Sequence, residues 1–119
     1  MKLSRVCDLL DAKAVCKSEL FNSIEVERVC GCDLLSDVLA FSQEKSLLLT
    51  GLTNPQVVRT AEMTEISAII FVRGKTPPGE TIDLANENGL ALAVSDKPLF
   101  ECCGILYEKG LKPEKIEKI

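Results

Sequence analysis

A chain of 119 residues, 46% hydrophobic and 27% charged, is sized and composed for one globular domain, which excludes a disordered or low-complexity polymer. Fourteen Lys plus Arg against 18 Asp plus Glu give a net charge of −4, so no nucleic-acid partner is expected, since that affinity rests on phosphate neutralisation. With no histidine, the commonest neutral-pH acid–base group and the Ser-His and Cys-His nucleophile pairs are missing, and no enzymatic activity is expected.

In chain order, Leu3–Leu10 predicts a short helix capped by Ser4, with Val6, Leu9 and Leu10 on one side. Ala14–Cys16 reads as a short strand, and Asn22-Ser23 as a turn into a strand over Val26–Cys30. Asp33 has the position of an N-cap for a helix over Leu34–Phe41, with Asp37 in its first turn and Leu35, Val38, Leu39 and Phe41 towards a sheet. After the linker Gln43-Glu44-Lys45 come three near-continuous apolar runs, Ser46–Thr50, Ala68–Val72 and Leu90–Ser95. Such runs suit strands buried on both faces.

Each run is followed by a helix signal. The first helix opens at Thr53 or Asn54 with Pro55 just inside and runs towards Ile66. The second opens at Thr76 with Pro77 in its first turn and stops at Asn88-Gly89. The third opens near Ser95-Asp96 with Pro98 and stops at Gly110. Early proline and trailing glycine are the usual asymmetry of helix ends. Alternation of strand and helix predicts right-handed βαβ units and a mostly parallel sheet, an α/β fold. Residues 1–112 form the expected domain and 113–119 a charged tail, with fraying expected from Lys112 onward.

Gly74-Lys75-Thr76 superficially suggests a phosphate-binding P-loop. That motif needs a second glycine five positions earlier, where Ile69 stands, and Pro77 and Pro78 lack the amide donors a cradle uses. The loop Thr50–Pro55 is the stronger candidate. It leaves the carboxyl end of a central strand, where open α/β sheets bind ligands. The expected ligand-binding set is Thr50, Gly51, Thr53 and Asn54, with Arg59 one helical turn in, Arg73 and Gly74 after the next strand, and Ser95 after the third. Backbone donors, a helix N-terminus and two guanidinium groups point to a small anionic ligand. Simple capping of helices and turns would use the same residue types.

Of the cysteines, Cys30-Gly31-Cys32 and Cys102-Cys103 lack C-x₂-C spacing and have no histidine to complete a zinc set, so neither a metal nor another cofactor is expected. Small core residues are the simple reading, with a thiol redox switch at Cys30/Cys32 as an alternative. No apolar stretch is long enough to span a bilayer and no signal-peptide core follows Met1–Arg5, so a cytoplasmic protein with reduced thiols and no membrane association is expected.

The runs Gly31–Leu39 (GCDLLSDVL), Leu48–Glu62 (LLTGLTNPQVVRTAE), Ile69–Lys75 (IIFVRGK) and Phe100–Tyr107 (FECCGILY) resemble stand-alone DRTGG-domain proteins, in overall pattern rather than in the pentapeptide that names the family. Such domains are similar to the amino-terminal domain of bacterial HPr serine kinase/phosphorylase. The resemblance implies a three-layer α/β/α fold and a regulatory, non-catalytic role, because the kinase P-loop lies in a different domain. Single-domain members are often encoded near iron-only hydrogenase genes, which implies an adaptor on a redox enzyme as an alternative role. A homodimer is expected from the family's habits and from the helix Pro98–Tyr107, whose apolar residues exceed what one face can bury.

Overall fold

A computed structural model describes residues 1–116. One six-stranded sheet has the order β1-β5-β4-β3-β2-β6, formed by β1 (Lys13–Cys16), β2 (Arg28–Gly31), β3 (Ser46–Thr50), β4 (Ala68–Phe71), β5 (Ala91–Val94) and β6 (Lys112–Pro113). Strands β2 to β6 pair in parallel, and β1 alone is antiparallel, against β5. The mostly parallel α/β sheet expected from the three apolar runs is therefore present.

Side-chain alternation along the strands separates two cores. Leu47, Leu49, Ile70, Ala91 and Ala93 pack with α1 (Leu3–Leu10) and α5 (Leu99–Glu108). Leu48, Ile69, Phe71 and Leu92 pack on the other face with Val38, Val57, Val58 and Ala85, which come from α2 (Leu35–Phe41), α3 (Pro55–Met63) and α4 (Gly79–Glu87). A strand covered on both sides has no polar face to present, which is why β4 is apolar throughout and β3 at every position but its ends, Ser46 and Thr50. Gly31 lets α5 sit close on β2, since a Cβ there would come within 2.5 Å of Cys103 Sγ.

Several local expectations are corrected. Helix α1 has Lys2, not Ser4, at its N-cap. Its first amides are satisfied by loop carbonyls, Leu3 N donating to Ile24 O and Ser4 N to Phe21 O, so no hydroxyl cap is needed. Strand β2 begins two residues later than expected, at Arg28. Helix α4 begins at Gly79 rather than Thr76, with Pro78 as its extended N-cap, because a residue preceding proline is pushed out of the helical region. On α2, Val38 is buried but Leu39 stays about half exposed rather than facing the sheet. Lys112 and Pro113, expected to fray, pair in parallel with Arg28 and Val29. Within the proposed tail, residues 117–119 lie outside the described residues.

Candidate functional site

Parallel pairing of β2, β3, β4 and β5 places their outgoing loops along one edge of the sheet. Connections α2, α3 and α4 cover one face while α5 leaves β5 on the other, so outgoing chain directions diverge between β4 and β5. That divergence is where open sheets usually leave a crevice. Here it is tied shut: Arg73 N donates to Lys97 O and Gly74 N to Ser95 O, both at 2.9 Å. Arg73 (φ 60°) and Gly74 (φ 65°) are both left-handed, which turns the chain sharply enough to make these bonds. For an arginine that conformation is strained, and such strain concentrates at working sites.

One strand over, the donors converge on a carboxylate. The Thr50 hydroxyl donates to Asp33 Oδ1 at 3.0 Å, the Gly51 amide to the same oxygen at 2.7 Å, and Arg73 Nη1 stands 3.5 Å from Asp33 Oδ2. Asp33 is thus not the helix cap its position suggests; Leu34 occupies the N-cap of α2 with no side-chain cap bond. Partial burial pulls the Asp33 carboxyl upward, but the Gly51 amide, the Thr50 hydroxyl and the Arg73 guanidinium outweigh it and hold the group below the usual aspartate range. Gly51 leaves room for this arrangement, because a Cβ there would collide with Arg73 Nη1.

The other candidates are distributed around this point. Ser95 is fully buried; its hydroxyl donates to Leu10 O at 2.7 Å and accepts from Lys97 N at 3.3 Å, tying α1 to the β5–α5 loop. Thr53 contributes its carbonyl, which accepts from the buried Thr81 hydroxyl at 2.7 Å. Asn54 is the exposed N-cap of α3 and makes no side-chain cap bond. Arg59 lies away from Arg73, in a groove of about 240 Å³ between α3 and α4 that it shares with Glu80, Asp83 and Glu87. Three carboxylates beside one guanidinium do not favour an anion there. Thr50, Gly51 and Arg73 come together; Arg59 and Ser95 do not join them.

Cys30 is 2% exposed, and burial with the neighbouring Glu114 pushes its thiol up to about 12, which leaves almost no thiolate at neutral pH. Cys102 points into the core and Cys103 lies partly buried against Gly31 of β2, as their separation on a helix requires. Among the described residues no group of three or more Cys, Asp or Glu side chains could hold a metal ion, and no helix is long and apolar enough to cross a membrane.

No family model and no curated protein sequence matches this chain. Among solved structures it is similar to the CBS and DRTGG domains of the regulatory region of Clostridium perfringens pyrophosphatase, a structure complexed with the activator diadenosine tetraphosphate. The TM-score is 0.70 at 19% identity, covering 88% of this chain and 45% of that one, so the chain spans under half the length of its neighbour. The shared architecture supports a DRTGG-like α/β fold.

Proposed function

We propose that this protein is a cytoplasmic, non-catalytic regulatory module that binds a small anionic metabolite or nucleotide at the carboxyl edge of its parallel sheet. The observation that carries the reading is Asp33: the Gly51 amide, the Thr50 hydroxyl and the Arg73 guanidinium already hold one carboxylate, the donor set an incoming phosphate or carboxylate needs. Asp33 then acts as an internal stand-in, exchanged for the ligand's oxyanion when the ligand binds. Thr53, Asn54 and Gly74 border the same edge and would contact the remainder of the ligand. The nucleotide activator named with the structural neighbour supports the ligand class.

Calorimetric titration with ATP, ADP, diadenosine tetraphosphate and acetyl phosphate tests this. Saturable binding lost in Arg73→Ala is expected; silence towards all four, in wild type and variant alike, removes the reading. An adaptor docking on a redox enzyme such as an iron-only hydrogenase is the alternative, favoured by the exposed Phe100 and Tyr107 side chains. A partner captured equally by wild type and Arg73→Ala, but not by Phe100→Glu, would replace the ligand reading.

A further inference from the structure

Among the described residues three buried side-chain oxygens have no hydrogen-bond partner: Ser42 Oγ, Ser46 Oγ and Glu114 Oε2. Buried polar groups are nearly always paired, so a cluster of exceptions marks a missing partner such as a water or an ion. Two of the three meet at one thiol. Pro113 stands opposite Val29 across the β2–β6 pair, which brings the next residue, Glu114, alongside Cys30. Side chains one place on from Val29 turn to the opposite face of the sheet, where Cys30 packs with Val38 of α2. Ser42 is the C-cap of that helix, and the Cys30 thiol is flanked by both the Glu114 carboxyl and the Ser42 hydroxyl. Ser46 lies opposite Arg28, at the start of β3 and on the same face as Cys30.

The cations nearest in the chain are committed elsewhere. Arg28 Nη1 donates to Pro113 O at 2.9 Å, and Lys45 Nζ stands 3.5 Å from Glu27 Oε1. A neutral thiol has a single weak donor to offer the oxygens around it. We infer that Cys30 Sγ, the Glu114 carboxylate and Ser42 Oγ form a site for one borderline-soft divalent cation of the zinc class, which pins β6 to β2. Thiolate and carboxylate are ordinary zinc ligands, whereas Mg²⁺ and Ca²⁺ take oxygen alone. One thiolate and one carboxylate also neutralise a divalent charge, as a buried ion requires. The set has one Cys and one Glu, fewer than a closed structural zinc centre uses, so the Ser42 hydroxyl and a water complete the tetrahedron. Loading exchanges a proton for the metal: the Cys30 S–H bond breaks, the sulfur–metal bond forms, and the proton passes to solvent with no change of oxidation state. Glu114 is only partly buried, so the ion enters from the β6 edge. This inference does not depend on the ligand reading.

Titration of the metal-free full chain with Co²⁺, a spectroscopic stand-in for zinc, is the test. A thiolate-to-cobalt charge-transfer band in the near ultraviolet is expected, saturating at one ion per chain and bleached by Zn²⁺ but not by Ca²⁺. Glu114→Gln and Cys30→Ser are each expected to weaken Co²⁺ binding about tenfold or more. Cys103→Ser, a thiol on the other face of the sheet, is the matched control and keeps the band. Circular dichroism accompanies Cys30→Ser, which alters a core position; if that variant unfolds, Glu114→Gln, at the partly exposed edge, decides alone. Excess Zn²⁺ is also expected to raise the melting temperature of wild type and not that of Glu114→Gln. No band at excess Co²⁺, which would leave solvent as the partner of these oxygens, overturns the inference. So does a band that survives Glu114→Gln and Cys30→Ser, one that is lost in Cys103→Ser, or one that Ca²⁺ removes as readily as Zn²⁺.

Discussion

Replacing Asp33 separates its part in the fold from its part in binding. Asp33→Ala leaves the buried Gly51 amide and the Thr50 hydroxyl without their acceptor. An unsatisfied buried donor costs about 1–3 kcal/mol, whereas the Arg73 pair, with both side chains over 40% exposed, is worth about 0–1 kcal/mol. Because water reaches Asp33, the loss is expected in the lower part of that span, about 1–2 kcal/mol, or a melting shift of roughly 4–8 °C for a domain of this size. Asp33→Asn keeps a carbonyl oxygen for both donors and gives up only the charge, so about half that loss is expected. The same change frees Arg73 and removes the internal competitor. If about 1 kcal/mol of internal contact no longer has to be displaced, a nucleotide phosphate binds about fivefold tighter. Urea unfolding and calorimetry on the three proteins measure both quantities. Asp33→Ala with wild-type stability, or Asp33→Asn with unchanged or weaker anion binding, would refute the reasoning.

The remaining predictions rest on single contacts. Asp33 is held below its unfolded pKa, so its stabilisation is fully present above the ordinary aspartate value near 4 and is lost as pH falls through the lower folded value; the stability gap between wild type and Asp33→Asn should narrow as the solution is acidified from that ordinary value, and a gap that stays constant through acid contradicts the assignment. Ser95→Ala removes the donor to Leu10 O and is expected to cost about 1–2 kcal/mol in denaturant titration, without a change in nucleotide affinity beyond what unfolding explains. Gly51→Ala pushes against the mobile end of Arg73 rather than against backbone, so stability should move by less than about 1 kcal/mol while anion affinity falls. Cys30, buried and with its thiol at about 12, should react with maleimide only on unfolding; rapid labelling in the native state would revive the thiol-switch reading.

Legibility in the sequence follows how local each determinant is. Strands β3, β4 and β5 are readable because both their faces are buried, so the apolar run is itself the structural fact. Strand β6 leaves no such trace: two exposed residues, one of them proline, carry no pattern, and only pairing with Arg28 and Val29 defines them. The antiparallel β1 is anticipated as an element but not in its direction, which depends on a partner far along the chain. Thr50, Gly51 and Arg73 are found from their positions after strands, a consequence of parallel topology. Asp33 is missed as their partner because one residue before an apolar helix is the local signature of a cap, while the amide that binds it lies 18 residues on and the guanidinium 40. Ser95 and Arg59 show the converse. Both have suitable chemistry by type, yet tertiary packing spends the Ser95 hydroxyl on Leu10 and places Arg59 in the α3–α4 groove, where its guanidinium donates to Gln56. The outward Phe100 and Tyr107 are foreshadowed by the surplus of apolar residues in Pro98–Tyr107, though a groove beside them exists only once β2 and β6 are neighbours.

The most direct measurement is a backbone amide NMR titration with diadenosine tetraphosphate. Saturating shifts that centre on Gly51 and Gly74 and spread to Asn54, with the amides of α5 unmoved, are expected if the ligand binds at the carboxyl edge of the sheet. Shifts centred on α5 or on the α3–α4 groove, or none at millimolar ligand, would contradict binding at that edge.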